Sequence, residues 1–157
     1  MSEKSQNLRD RLRQGGVLRG EDLDPFRGDH FGSSQLGLEL EEVSLERVVA
    51  HLVCDERHHQ PFGIVHGGVW CAVVESLASI GASMHAAQLD KQVVGVNNST
   101  DFLRAHRTGR VDAVAHPVHV GRSQQLWHVV CSREQDGKTV ARGQVRLQNV
   151  DAAQLGG

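Results

Sequence analysis

Apolar and polar positions begin to alternate at Leu36. Leu36, Leu38 and Leu40 interleave with Gly37, Glu39 and Glu41, the period of a strand. Glu42-Val43-Ser44 allows a turn, and residues 45–54, LERVVAHLVC, read as a second strand. A polar loop, DERHHQPFG, follows, punctuated by Pro61 and Gly63. The pattern changes again at Gly67. From Val69 and Trp70 through Val73, Val74, Leu77 and Ile80 to Met84, apolar residues fall on nearly every side of a helix, which predicts burial all round. Small residues within it (Ala72, Ala78, Gly81, Ala82) let other backbones come close. Four strand-like segments follow, roughly 92–104, 110–120, 124–134 and 139–148, separated by Thr108-Gly109, Gly121 and Asp136-Gly137. Asp-Gly between alternating runs is a hairpin signal.

The sum is an α+β domain over residues 35–150, with an antiparallel sheet wrapped around one long central helix. A single such unit leaves a sheet edge and a helix face uncovered, so a homodimer is expected. Residues 1–34 form a leader with a short polar helix near 4–14 and loops marked by Gly15-Gly16, Pro25 and Gly28. With little to bury, this leader is expected to be mobile or to lie across a partner. Residues 151–157 read as a tail.

Composition narrows the classes. The chain has 157 residues, 39% hydrophobic, with a formal net charge of -2 and six aromatic residues, none of them Tyr. Neither a basic surface nor a stacking platform for nucleic acid is expected, nor attraction to an anionic membrane. The N-terminus lacks the apolar stretch of a secretory signal. The longest apolar run, about 64–84, is interrupted by Glu75 and rich in Gly, Ala and Ser, as in a core helix. Cys54, Cys71 and Cys131 are an odd set without CxxC spacing, which points to reduced thiols and a cytoplasmic location. His58-His59 and the His116/His119 pair lack a Cys or carboxylate at ligand spacing, so no metal is expected.

Candidate chemistry concentrates in residues 60–79, QPFGIVHGGVWCAVVESLAS. Gly67 and Gly68 stand where the helix begins, where N–H groups are free and the dipole is positive. They make either a plain helix start or a place for a ligand oxygen to approach the backbone. Glu75 is the only charged residue between Gly67 and Met84. A lone carboxylate in such a helix is either functional or a paired structural group. Ser79 lies one turn further on the same face, and Gln60 and His66 flank the preceding loop. Gly67 and Glu75 are eight residues apart, ~12 Å along the axis, too far to act on one carbonyl within a chain. Antiparallel central helices in a dimer bring Gly67 of one chain to Glu75 of the other.

The string QPFGIVHGGVWCAVVES, with GVNNSTDFLR, HPVHVGRSQQLW and the strand pair around Asp136-Gly137-Lys138, resembles the hotdog-fold acyl-CoA thioesterases. That family includes 4-hydroxybenzoyl-CoA thioesterases, phenylacetate-pathway thioesterases and 1,4-dihydroxy-2-naphthoyl-CoA hydrolases. The resemblance implies a hydrolase that uses an acyl-CoA substrate and no cofactor, CoA being part of the substrate. It implies that Gly67 donates its N–H to the thioester carbonyl, that Gln60 assists, and that His66 supports the loop. Glu75 is then nucleophile or general base, with Ser79 near the attacking water. Arg122, Ser123, Gln124 and Arg104 are implied as CoA contacts, and a tetramer of two dimers is the family habit. Gln124 stands where the family commonly has a small hydroxyl residue, and Ala105 where Pro is common. Two other functions fit the fold: a hotdog hydratase using Asp55 with His66 or His59, and an acyl-CoA binding module without turnover. The acyl group, aromatic or medium-chain, is not readable from these residues.

Overall fold

The computed structural model describes residues 3–154, so the ends of the leader and of the tail lie outside the described residues. Helix α1 covers Glu3–Arg13. Strands β1 (Leu38–Val43) and β2 (Val48–Cys54) precede the central helix α2 (Gly67–Ala87). Then come β3 (Gln92–Phe102), β4 (Gly109–Val120), β5 (Gln124–Arg133) and β6 (Thr139–Val150). The six strands form one antiparallel sheet in the order β1-β2-β4-β5-β6-β3. Strand β3, reached through α2, pairs with β6 and stands at the sheet's end, its other edge unpaired among the described residues. A bulge between Gly95 and Asn97 shifts its register.

The sheet curls around α2, which touches all six strands. By length and composition alone α2 could cross a membrane, but it is the core helix of this sheet. Trp70, Val73, Val74, Leu77, Ala78, Gly81, Ala82 and Ala86 form its buried stripe. The expected burial on every side does not hold within one chain. Cys71, Ala72, Glu75, Ser76, Ser79 and Ile80 are only half-buried, because one curved sheet can cover only one side of a helix. The buried stripe packs closely on β5. A Cβ on Gly81 would lie 2.4 Å from the fully buried Trp127 ring. Trp127 Nε1 donates to Gln125 Oε1 at 3.0 Å, and Gln125 Nε2 donates to Ala82 O and to Asn149 Oδ1. This buried polar chain is satisfied along its length, which ties β5, β6 and α2 together.

The leader departs from expectation. Leu12, Leu18 and Leu23 are at most 1% exposed and belong to the same core as α2. Its residues are mostly polar, but Leu12, Leu18 and Leu23, with Leu8 and Phe26 packed against them, suffice to anchor it in the core. Leu18 bridges Val43 and so covers part of the β1 edge. Arg19, with Arg47, ion-pairs the buried Glu42 of β1, while Arg9 and Arg13 bond Asp90 and Gln88 beyond the end of α2. The leader thus runs along the flank of α2 that the sheet leaves open.

Candidate active site

The loop before α2 is held by three histidine side chains that bond backbone groups. His58 accepts from Asp55 N–H at Nδ1 (3.1 Å), so its Nε2 carries the proton and donates to Leu36 O (3.0 Å). His59 Nε2 donates to Arg107 O at 2.7 Å. His66 is the N-cap of α2: its Nδ1 accepts from Gly68 N–H at 2.8 Å. That cap occupies the Gly68 donor, and no described group takes up the Gly67 N–H. Gly67 is therefore the open donor at the positive end of the helix. A Cβ on it would lie 2.7 Å from the Phe102 ring, which covers its Cα.

Gln60 sits in a tight turn, its N–H donating to Ile64 O and its C=O accepting from Gly63 N–H. Its Oε1 accepts from Phe62 N–H at 2.8 Å. The amide orientation is thereby fixed, and Nε2 remains as a donor of positive polarity.

Glu75 is half-buried on α2 and faces β3. Asn98 Nδ2 donates to its Oε2 at 2.8 Å and to Cys71 O at 3.1 Å, while Thr100 Oγ1 donates to Asn98 Oδ1 at 2.6 Å. Ser79 Oγ lies 3.5 Å from Glu75 Oε1, long for a hydroxyl bond, so Asn98 is the firmer partner. Gly95 occupies the other side: a Cβ there would meet Glu75 Oε1 at 2.5 Å. Asn98, Thr100 and Gly95 were not among the residues singled out in sequence. Their signal was present in GVNNST, a strand whose inward positions are polar or bare opposite the helix's one charged residue.

Within one chain Gly67 and Gln60 gather at the start of α2, whereas Glu75 and Ser79 lie two to three turns along it. The four implied CoA contacts are also divided. Arg122, Ser123 and Gln124 lie exposed at the β4–β5 turn; Arg104, exposed, donates to Thr139 O at 2.7 Å. Phe102 pairs with Ala141 and Gln124 with Gln148, which puts the two groups seven residues, or ~23 Å, apart along β6. No single chain therefore joins them in one groove. Asp55, the carboxylate a hydratase would need, is bound by the Arg57 guanidinium and backbone, which hold its carboxyl down to about 2. Cys54 and Cys131 are buried, and burial pushes both thiols up to about 12. Among the described residues no three His, Cys, Asp or Glu side chains converge as metal ligands.

Comparison with known proteins settles the family. Residues 62–140, about half of the chain, match the model of the thioesterase superfamily. The chain belongs to the thioesterase superfamily. The Mycobacterium tuberculosis protein Rv1847 is 46% identical over 121 residues, 76% of this chain and 86% of that protein. Its solved structure superposes with a TM-score of 0.74 at 45% identity, covering 76% of this chain and 96% of the other. A 1,4-dihydroxy-2-naphthoyl-CoA hydrolase of Listeria monocytogenes is 35% identical over 99 residues, 63% of this chain and 80% of that enzyme. The thioesterase HI1161 of Haemophilus influenzae matches with a TM-score of 0.76 at 30% identity, covering 85% and 92% of the two chains. This thioesterase thus has the hotdog architecture expected from its sequence, six antiparallel strands around one long helix.

Proposed function

We propose that this thioesterase hydrolyses acyl-CoA esters to free acid and CoA at two equivalent sites of a homodimer. Each site takes Glu75 and Ser79 from one chain and Gly67 and Gln60 from the other. The observation that carries this reading is the position of Asn98. Its amide bonds both the Glu75 carboxylate and the carbonyl of Cys71, the residue halfway between Gly67 and Glu75. Asn98 itself lies near the middle of β3's free edge. A two-fold axis passing beside this pair does two things at once. It joins the two β3 edges antiparallel, which removes the exposed edge, and it sets Gly67 of one chain against Glu75 of the other. The same operation brings the Arg122 end of one sheet toward the Arg104 end of the other, giving a CoA phosphate cations from both chains.

At such a site the thioester carbonyl oxygen accepts from Gly67 N–H and Gln60 Nε2, both oriented before substrate arrives. Asn98 holds the Glu75 carboxylate, which attacks the carbonyl carbon or takes a proton from an attacking water. The tetrahedral oxyanion collapses, the C–S bond breaks, and CoA leaves as its thiolate, which takes up the proton Glu75 removed from water on the water route, or one from solvent on the carboxylate-attack route. On the carboxylate-attack route, water then opens the anhydride and regenerates Glu75.

The test is steady-state hydrolysis of benzoyl-, 4-hydroxybenzoyl-, phenylacetyl-, dihydroxynaphthoyl- and aliphatic acyl-CoA esters by wild type and Glu75→Ala, followed by loss of thioester absorbance. Turnover by wild type that drops about a thousandfold in the variant, ~4 kcal/mol of transition-state stabilisation, supports the proposal. A wild type inert across the panel, or a variant as fast, refutes it.

A further inference from the structure

The leader closes an apolar cavity of about 460 Å³ beside the second half of α2. Leu8, Leu12, Leu18 and Phe26 of the leader face Met84 of α2 and Val93 of β3 across it. Its size and lining are those of a ligand pocket. Its charges stand with their own partners, Arg9 on Asp90 and Lys91 on Asp151, so none is left over to select an anion. The leader wall lies outside the residues 62–140 that match the family.

The cavity lies further along the same helix and the same strand that hold Glu75 and Gly95. Ser83, on its wall, is two turns beyond Glu75 and one beyond Ser79, all on one side of α2. Opposite, Val93 on the wall and Gly95 against the carboxylate are two apart on β3, both directed at α2. Beside the carboxylate α2 presents Ser79 and β3 presents Gly95, both small residues. From Glu75 to Ser83 is ~12 Å along the helix axis, a span of about ten carbons at a little over 1 Å advance per ~1.5 Å bond.

We infer that this cavity receives the far end of an aliphatic acyl chain, and that the thioesterase acts on unbranched acyl-CoA esters of about ten or more carbons, with the leader as part of the acyl pocket. The inference rests on the thioesterase reading above and specifies its substrate class. Short and aromatic acyl groups held at Glu75 leave the cavity unfilled and gain nothing from its apolar wall. Each methylene of a longer chain that enters the cavity adds favourable transfer free energy.

The experiment measures kcat/KM on butyryl-, octanoyl-, dodecanoyl- and benzoyl-CoA for wild type, Ser83→Leu and Ala87→Phe, both variants filling the cavity from α2. In wild type, dodecanoyl-CoA is expected to exceed butyryl- and benzoyl-CoA at least tenfold, and each variant lowers the dodecanoyl-to-butyryl ratio at least tenfold. Product inhibition of wild type supplies a readout independent of any variant: dodecanoate is expected to inhibit at least tenfold more tightly than butyrate or benzoate. A flat or aromatic-preferring profile, variants that lower every ester alike, or equal inhibition by the three acids overturns the acyl pocket while leaving the thioesterase reading intact. Inactivity of wild type on every ester, by contrast, removes both.

Discussion

Asn98 donates to the Glu75 carboxylate at 2.8 Å, and with the second hydrogen of the same amide holds the backbone of α2 at Cys71. A side chain on the sheet thereby fixes the direction of a carboxylate on the helix. Asn98→Ala removes the orienting bond and leaves the Cys71 carbonyl to its helical partner alone. The expected result is a folded protein, less stable by ~1 kcal/mol, with kcat reduced ten- to a hundredfold through loss of alignment. Thermal melting and steady-state kinetics on the best ester check both parts.

Gly95→Ala tests the opposite side of the same carboxylate. The added Cβ falls 2.5 Å from Oε1, and the atom it meets is the tip of a flexible side chain, so the fold adjusts by moving the carboxylate. A melting temperature near wild type together with a fall in kcat/KM of at least a hundredfold is expected. Retained activity would show that the position of Glu75 in this structure is not the working one.

Gly81 has a structural role instead. Here a Cβ would lie 2.4 Å from the ring of a fully buried tryptophan that has nowhere to go. Gly81→Ala is expected to destabilise by ~1–3 kcal/mol, read as a lowered denaturation midpoint.

Acid stability depends on Glu42. Its side chain is 8% exposed, and Arg47, with Arg19 of the leader, holds its carboxyl down from 4.5 to about 2 against the opposing effect of burial. A folded-state value below the unfolded one contributes stability that is complete above pH 4.5 and is lost as pH falls toward 2. Because both arginines are about half or more exposed, ~1–2 kcal/mol is expected after screening. Glu42→Gln should lower stability at pH 7 by that amount and flatten the acid limb of stability against pH between 4.5 and 2.

Much of this molecule was legible in order and type. The four late strands and the helix start fall within a few residues of the sequence reading, because alternation and the Gly67-Gly68 and Asp136-Gly137 signals are local. Long-range placement was not local, and the leader was misread. The leader's leucines find the core only because the α2 flank is open to them, which no window of the leader reveals. The helix, apolar all round, is half-uncovered in one chain, as expected of a single such unit, and in the proposed dimer its open side meets the α2 of a second copy. Asn98 and Gly95 escaped notice for a related reason: their importance depends on which strand the topology sets beside Glu75, and β3 takes that place only through the crossover past α2.

The measurement that bears most directly on the composite site is complementation between two inactive variants. Glu75→Ala removes the carboxylate. Gly67→Pro removes the N–H at the first position of α2, where Pro suits the helix and the extended His66 backbone before it, and the Phe102 ring that its Cβ would meet at 2.7 Å is 56% exposed and can turn aside into solvent. Co-expressed with different tags and purified through both, the pair forms dimers in which one site has an intact Gly67 facing an intact Glu75. The account predicts that such dimers regain about a quarter to a half of the wild-type kcat while each parent stays inactive. Mixed dimers as inactive as their parents would contradict it.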